Sequence, residues 1–280
     1  MNTKENTIDP GKLRSIQRVT TTGGFFLVCA LDHLSDFQEL LDPDPKTVNY
    51  DRTGDAKIEL IRLLASECSA FLLDARFGLA QAIASRALPG SVGLMASIED
   101  EDYKPTSVHR KTRFREDWSA RQMKLLGVDV CKLLWFYRPD SEAAEHQREV
   151  VRSLVRECAE FSLPLDAGVD VPWMLLSAGV GYEAFKTQVE IACRAGGSGF
   201  MAGRSIWRDA ASTHDPKQRA PAAKDAADRL SELAAVTRRH GRPFAPKLEG
   251  KDFIIGVPRR ANRPLAAAIR TRRSARRRSR

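Results

Sequence analysis

The chain has no apolar run approaching the roughly 18 residues that a bilayer-spanning helix requires, which excludes a helical membrane protein. Its opening, MNTKENTIDPGKLRSIQ, has charges with no apolar stretch behind them, so no secretory leader is expected. Paired cysteines are also missing. The five present, Cys29, Cys68, Cys131, Cys158 and Cys193, are scattered singly through apolar segments without a CxxC pair. That pattern argues against a disulfide framework and a zinc site, and it reads as buried, reduced thiols in a cytoplasmic protein. Acids are absent from one region only: residues 259–280 hold ten arginines and no Asp or Glu. Removing those ten from the net charge of +9 leaves −1, so the body is close to neutral and its basicity says nothing about nucleic acid.

What is present is an ordinary soluble composition, 42% hydrophobic and 29% charged, at 280 residues. Residues 1–250 read as one α/β barrel domain. Residues 251–280 read as an apolar stretch, Phe253–Val257, followed by an arginine-rich tail with nothing to bury, expected to be disordered.

Short apolar runs alternate with helix-period segments along the body. Residues 25–32 (FFLVCALD), 70–74 (AFLLD), 91–97, 128–137 (VDVCKLLWFY), 172–179 and 198–204 read as strands. Helices are expected at 55–68, 79–88, 118–126 with Gly127 as its C-cap, 141–161 with Ser141 as N-cap, 181–195 and 220–240. Residues 36–54 and 99–117 read as polar loops. In the second loop, His109, Arg110, Lys111 and Arg113 are either anion ligands or charges in water. The alternation describes a parallel sheet flanked by helices.

Lys132 is the one cation in the 128–137 run. Burial would lower its pKa toward a usable nucleophile; alternatively the lysine lies at the strand's end, snorkelling or paired. Asp32 ends the first strand, where α/β folds place functional groups, and it equally suits a turn cap. Ser177-Ala178-Gly179 and Gly203-Arg204 end two successive strands. Glycine admits backbone N–H groups to an anion, and a guanidinium beside them completes a phosphate cradle.

KLRSIQR, FFLVCALD, AFLLDARFGL, the Trp118-Ser119 helix start, GVDVCKLLWFY, LLSAGV and GFMAGRSIW appear in an order and spacing that resembles the class I tagatose 1,6-bisphosphate aldolase family, which includes the sulfofructose-phosphate aldolases. The resemblance covers most of residues 12–209. It implies a TIM (β/α)8-type barrel and a carbon–carbon lyase that cleaves a phosphorylated ketose through a lysine Schiff base, giving dihydroxyacetone phosphate and an aldehyde. It implies neither metal nor cofactor. Carried over position by position, Asp32 is the acid of the first strand and Lys132 a pocket lysine of the fourth. Ser177, Ala178, Gly179, Gly203 and Arg204 are the phosphate-binding strand ends.

The chain departs from this pattern at two places. His33-Leu34 stand where the family has Gln-Arg. Only ten residues separate Phe161 from Pro172, too few for the two strands and two helices that would bear a catalytic glutamate and the Schiff-base lysine. About six strands are therefore expected, an incomplete barrel with exposed sheet edges. Lys132 becomes the lysine expected to form any Schiff base. The expected partners are a phosphorylated sugar and a second copy of the chain, with neither membrane nor nucleic acid. Two alternatives stand beside the aldolase: a phosphosugar-binding relative without turnover, and nucleic-acid binding through the tail.

Overall fold

The structure, a computed structural model, describes residues 9–100, 110–165, 172–213 and 216–245. The chain divides into two compact units, Gly11–Pro246 and a second made of Met1–Pro10 with Lys247–Arg280. His109, the segment 166–171, the 253–257 stretch and the arginine tail lie outside the described residues.

Six parallel strands carry the main unit: β1 (Phe26–Leu31), β2 (Ala70–Leu73), β3 (Gly93–Ser97), β4 (Val130–Lys132), β5 (Leu175–Leu176) and β6 (Gly199–Ala202). Their order is β4-β3-β2-β1-β6-β5, as in part of an α/β barrel, so the expected incomplete barrel is what forms. The helices are α1 (Pro10–Val19), α2 (Ser35–Leu41), α3 (Tyr50–Leu64), α4 (Leu79–Ala84), α5 (Ala120–Leu125), α6 (Ala144–Glu160), α7 (Tyr182–Arg194), α8 (Arg204–Ser212) and α9 (Pro216–His240).

The apolar strands are buried on both faces because each face meets its own packing. Leu27, Cys29, Leu31, Phe71, Leu73, Leu94, Ala96, Phe200 and Ala202 point outward and share one cluster with helix residues such as Leu60, Ile61, Leu64, Phe185 and Trp207. The alternate residues, Phe26, Val28, Ala30, Ala70, Leu72, Met95 and Met201, form a second cluster on the inner face. Gly199 is fixed by close approach: a Cβ there would lie 1.9 Å from the Phe26 carbonyl oxygen. Gly127, at φ +81°, ends α5 with its N–H on Lys124 O and that of Val128 on Met123 O; it stops the helix as expected, but one residue past the C-cap, which is Leu126.

Several boundaries differ from expectation. The strand read over 128–137 stops at Lys132, and the one over 172–179 shrinks to two residues. Both are edge strands paired on one side only, so fewer ladder bonds hold them, and Trp135, Phe136 and Leu176 are exposed. The 36–54 loop contains α2 and the start of α3, the basic 12–18 segment is α1, and 204–212 is a helix of its own. On α6 the buried face runs through Ala144, Gln147, Leu154 and Cys158, which leaves Val155 exposed. Ala143, not Ser141, is the N-cap, and the Ser141 hydroxyl accepts its N–H at 3.1 Å. All five cysteines are free, and four are buried.

Candidate active site

Period-two alternation builds the site. The inner-face residues of β1 to β4 are apolar until the carboxyl end, where the next inward position is charged or polar. Phe26, Val28 and Ala30 lead to Asp32, and Ala70 and Leu72 to Asp74. Met95 leads to Ser97 and Glu99, and Val130 to Lys132. Charged and polar side chains thus gather at the end where parallel barrels place their chemistry.

Lys132 donates to Asp32 Oδ2 at 3.1 Å and pairs with Glu99. Glu99 also accepts the Leu134 N–H at 3.2 Å. The Glu99 and Asp32 side chains are 1% and 4% exposed, so these charges interact with little solvent screening. Burial alone would lower the Lys132 pKa, but Asp32 and Glu99 outweigh it and hold the amine above the ordinary lysine range. Of the two expectations for Lys132, the one that forms is the lysine paired at its strand's end; the depressed pKa is corrected, because two carboxylates favour the ammonium more strongly than desolvation opposes it.

Beside this cluster, Asp32, Asp74, Arg76, Ser97, Glu99, Asp100, Arg115 and Trp118 line a small polar cavity. Arg76 reaches Asp100 at 2.6 Å, and Arg115 takes Asp117 at 2.8 Å. Trp118 secures the rim by donating Nε1–H to Ser97 O at 2.9 Å.

The predicted phosphate residues come together at the β5 and β6 ends. The two strands pair in parallel, and Gly203 N–H donates to Ser177 Oγ at 3.3 Å. Ala178 and Gly179 take the left-handed conformation (φ +48° and +80°), a turn that exposes successive N–H groups. A Cβ on Gly179 would lie 3.0 Å from the Arg204 guanidinium. The N–H groups of Ala178, Gly179, Arg204 and Ser205 donate no hydrogen bond among the described residues. Arg204 Nε and Ser205 Oγ are buried without partners, while the other arm of Arg204 holds Asp36 at 2.7 Å.

The β1 end joins the two halves. Asp32 faces Lys132, and the next residue, His33, packs against Gly203, whose Cβ position lies 3.0 Å from His33 Cε1. Burial pushes His33 down to about 4 despite Asp32 alongside, with Arg204 and Lys57 adding to the fall. It is therefore a neutral imidazole at pH 7.

Sequence reasoning missed two groups. In sequence Glu99 reads as one of a run of loop acids, although its spacing from Met95 and Ser97 signals an inward position. Lys57 was passed over within α3. It sits four and seven residues before the buried Ile61 and Leu64, hence on the apolar face, where it pairs with Asp74. Among the described residues, no group of His, Cys, Asp and Glu is arranged to hold a metal.

No protein-family model matches the chain. Tagatose 1,6-diphosphate aldolase 2 of Enterococcus faecalis is 31% identical over 165 residues, covering 56% of this chain and 47% of its own length. Tagatose 1,6-diphosphate aldolase of Lactococcus lactis subsp. lactis is 26% identical, covering 55% and 47%. The chain thus spans about half the length of the curated relatives it matches. Among solved structures, a Schiff-base-forming fructose-1,6-bisphosphate aldolase is 16% identical with a TM-score of 0.54, covering 81% of this chain and 99% of that one. Fructose-bisphosphate aldolase of Plasmodium falciparum is 11% identical with a TM-score of 0.56, covering 85% and 96%. The chain is similar in sequence to the tagatose 1,6-diphosphate aldolases and in fold to the class I fructose-bisphosphate aldolases.

Proposed function

We propose that the chain carries a class I aldolase site for a phosphorylated ketose such as tagatose 1,6-bisphosphate, releasing dihydroxyacetone phosphate and an aldehyde. The observation that carries this reading is the β5–β6 cradle. Four N–H groups without an acceptor among the described residues and two buried, partnerless groups, Arg204 Nε and Ser205 Oγ, sit at the paired β5 and β6 ends, where His33, the neighbour of Asp32, packs against Gly203. A buried donor without an acceptor costs about 1–3 kcal/mol, which a bound phosphate oxygen would recover.

In this reading Lys132 passes a proton to Asp32 or Glu99, and the neutral amine adds to the ketose C2 carbonyl. The carbinolamine hydroxyl leaves as water with a proton from the carboxylic acid so formed. The C4 hydroxyl then gives its proton to the same carboxylate as the C3–C4 bond breaks, freeing the aldehyde and leaving an enamine. Protonation at C3 and addition of water release dihydroxyacetone phosphate and restore the amine.

One observation favours a second reading, a phosphosugar-binding relative without turnover. The Lys132 ammonium is stabilised by two carboxylates, the opposite of an amine prepared for attack. Release of dihydroxyacetone phosphate from tagatose 1,6-bisphosphate, followed through NADH oxidation by glycerol-3-phosphate dehydrogenase, separates the two. Turnover that is lost in Lys132→Met supports the aldolase. No turnover, together with a melting temperature raised by the same sugar, selects the second reading.

A further inference from the structure

The Lys57 ammonium is fully buried yet lies outside the cluster assigned to catalysis. It projects from α3 between the carboxyl ends of β1 and β2. There it donates to Leu31 O at 2.8 Å and His33 O at 2.7 Å, and it pairs with Asp74. A protonated amine has three N–H bonds, and here each has an acceptor. The two carbonyls bracket Asp32. The β1–β2 register ends at Leu31–Leu73, so the ladder no longer fixes the backbone at Asp32. Asp74, the third acceptor, is the corresponding inward residue of β2 and is itself held by the N–H groups of Arg76 at 2.9 Å and Phe77 at 2.6 Å.

Burying a lysine is costly unless each of its protons is satisfied. An apolar residue would fill this space but leave Asp74 and both carbonyls without their donor, so the ammonium supplies something that packing does not. We infer that Lys57 is a positioning residue: by gripping the carbonyls on either side of Asp32, it holds that carboxylate at its 3.1 Å contact with Lys132. The inference rests on the reading of Asp32 as the acid–base partner of Lys132.

The test uses the full chain. Lys57→Met alone would strand the Asp74 carboxylate, so the informative variant is Lys57→Met/Asp74→Asn, which removes the ion pair together and leaves both carbonyls ungripped. The first readout is the 1H–15N correlation of the lysine ammonium groups at pH 7, with the Lys132 signal assigned through Lys132→Met. A folded double variant in which that signal shifts or broadens away supports positioning. A folded double variant with an unchanged Lys132 signal overturns it.

If the double variant does not unfold cooperatively, Lys57→Gln is read in the same way. This variant keeps N–H donors without the charge; a displaced Lys132 signal supports the inference and an unchanged one overturns it. With tagatose 1,6-bisphosphate as substrate, positioning predicts that kcat falls by about 100-fold while KM stays within about twofold. A wild-type chain without turnover would sink the aldolase reading and leave the ammonium readout to decide the role of Lys57.

Discussion

Acidification tests the packing at the β1 end. His33 is 9% exposed, lies edge-on to the Trp207 ring at 5.3 Å and sits 3.8 Å from Asp32. Its pKa is lowered from 6.5 to about 4, mainly by burial, with Arg204 and Lys57 acting in the same direction and Asp32 and Asp36 against it. The unfolded chain therefore binds a proton on His33 over a pH range in which the folded chain does not, and stability must fall as pH drops through that window. Linkage places the loss between pH 7 and pH 4.5 at about 2 kcal/mol. Glutamine fills a similar space without titrating. Urea unfolding of the wild type and His33→Gln at both pH values isolates the effect from the carboxylates, which are common to both. The account predicts that the variant loses about 2 kcal/mol less than the wild type on acidification. Equal losses in the two proteins would refute the argument that His33 is buried neutral.

Other perturbations separate the remaining parts of the site. Lys132→Met leaves Asp32 and Glu99 facing one another without a cation, and a loss of about 3–5 kcal/mol is expected by chemical denaturation at pH 7. Because the folded-state pKa of Lys132 is raised, its pairing stabilises the fold fully below the unfolded lysine pKa. That contribution is lost as pH rises through the folded value, so a wild-type denaturation series should show an alkaline loss that Lys132→Met lacks. Arg204→Ala breaks a partly exposed pair with Asp36 and should cost about 1 kcal/mol or less. The same change should abolish the melting-temperature rise produced by dihydroxyacetone phosphate. Gly199→Ala drives a Cβ into Phe26 backbone at the β1–β6 contact and should prevent cooperative unfolding, as seen by circular dichroism.

The strand ends were legible because a buried apolar run that stops on Asp32 or on Gly203-Arg204 carries its own signal. That the Ser177-Ala178-Gly179 and Gly203-Arg204 strand ends lie side by side also followed from sequence, since successive strands of a parallel barrel are neighbours and β5 pairs with β6. Glu99 was hidden by its setting among further acids. Its role depends on the β3–β4 register, which pairs Ser97 with Lys132, and no local pattern reports that register. The lengths of β4 and β5 were overestimated because apolar content measures a tendency to be buried, whereas strand length depends on having a partner on each side. For Lys132 both a lowered pKa and pairing at the strand's end were open from sequence; what decides between them, the carboxylates of Asp32 and Glu99 meeting one amine, depends on register and was not legible.

The claim that the phosphate cradle and the Lys132 cluster form one site is tested most directly by borohydride trapping with dihydroxyacetone phosphate, followed by peptide mapping. The account predicts a reduced adduct on Lys132, with a yield that increases with pH as the ammonium is titrated and drops sharply in Arg204→Ala at the same ligand concentration. A wild-type chain that forms no adduct on Lys132, or one whose labelling is indifferent to Arg204, would contradict it.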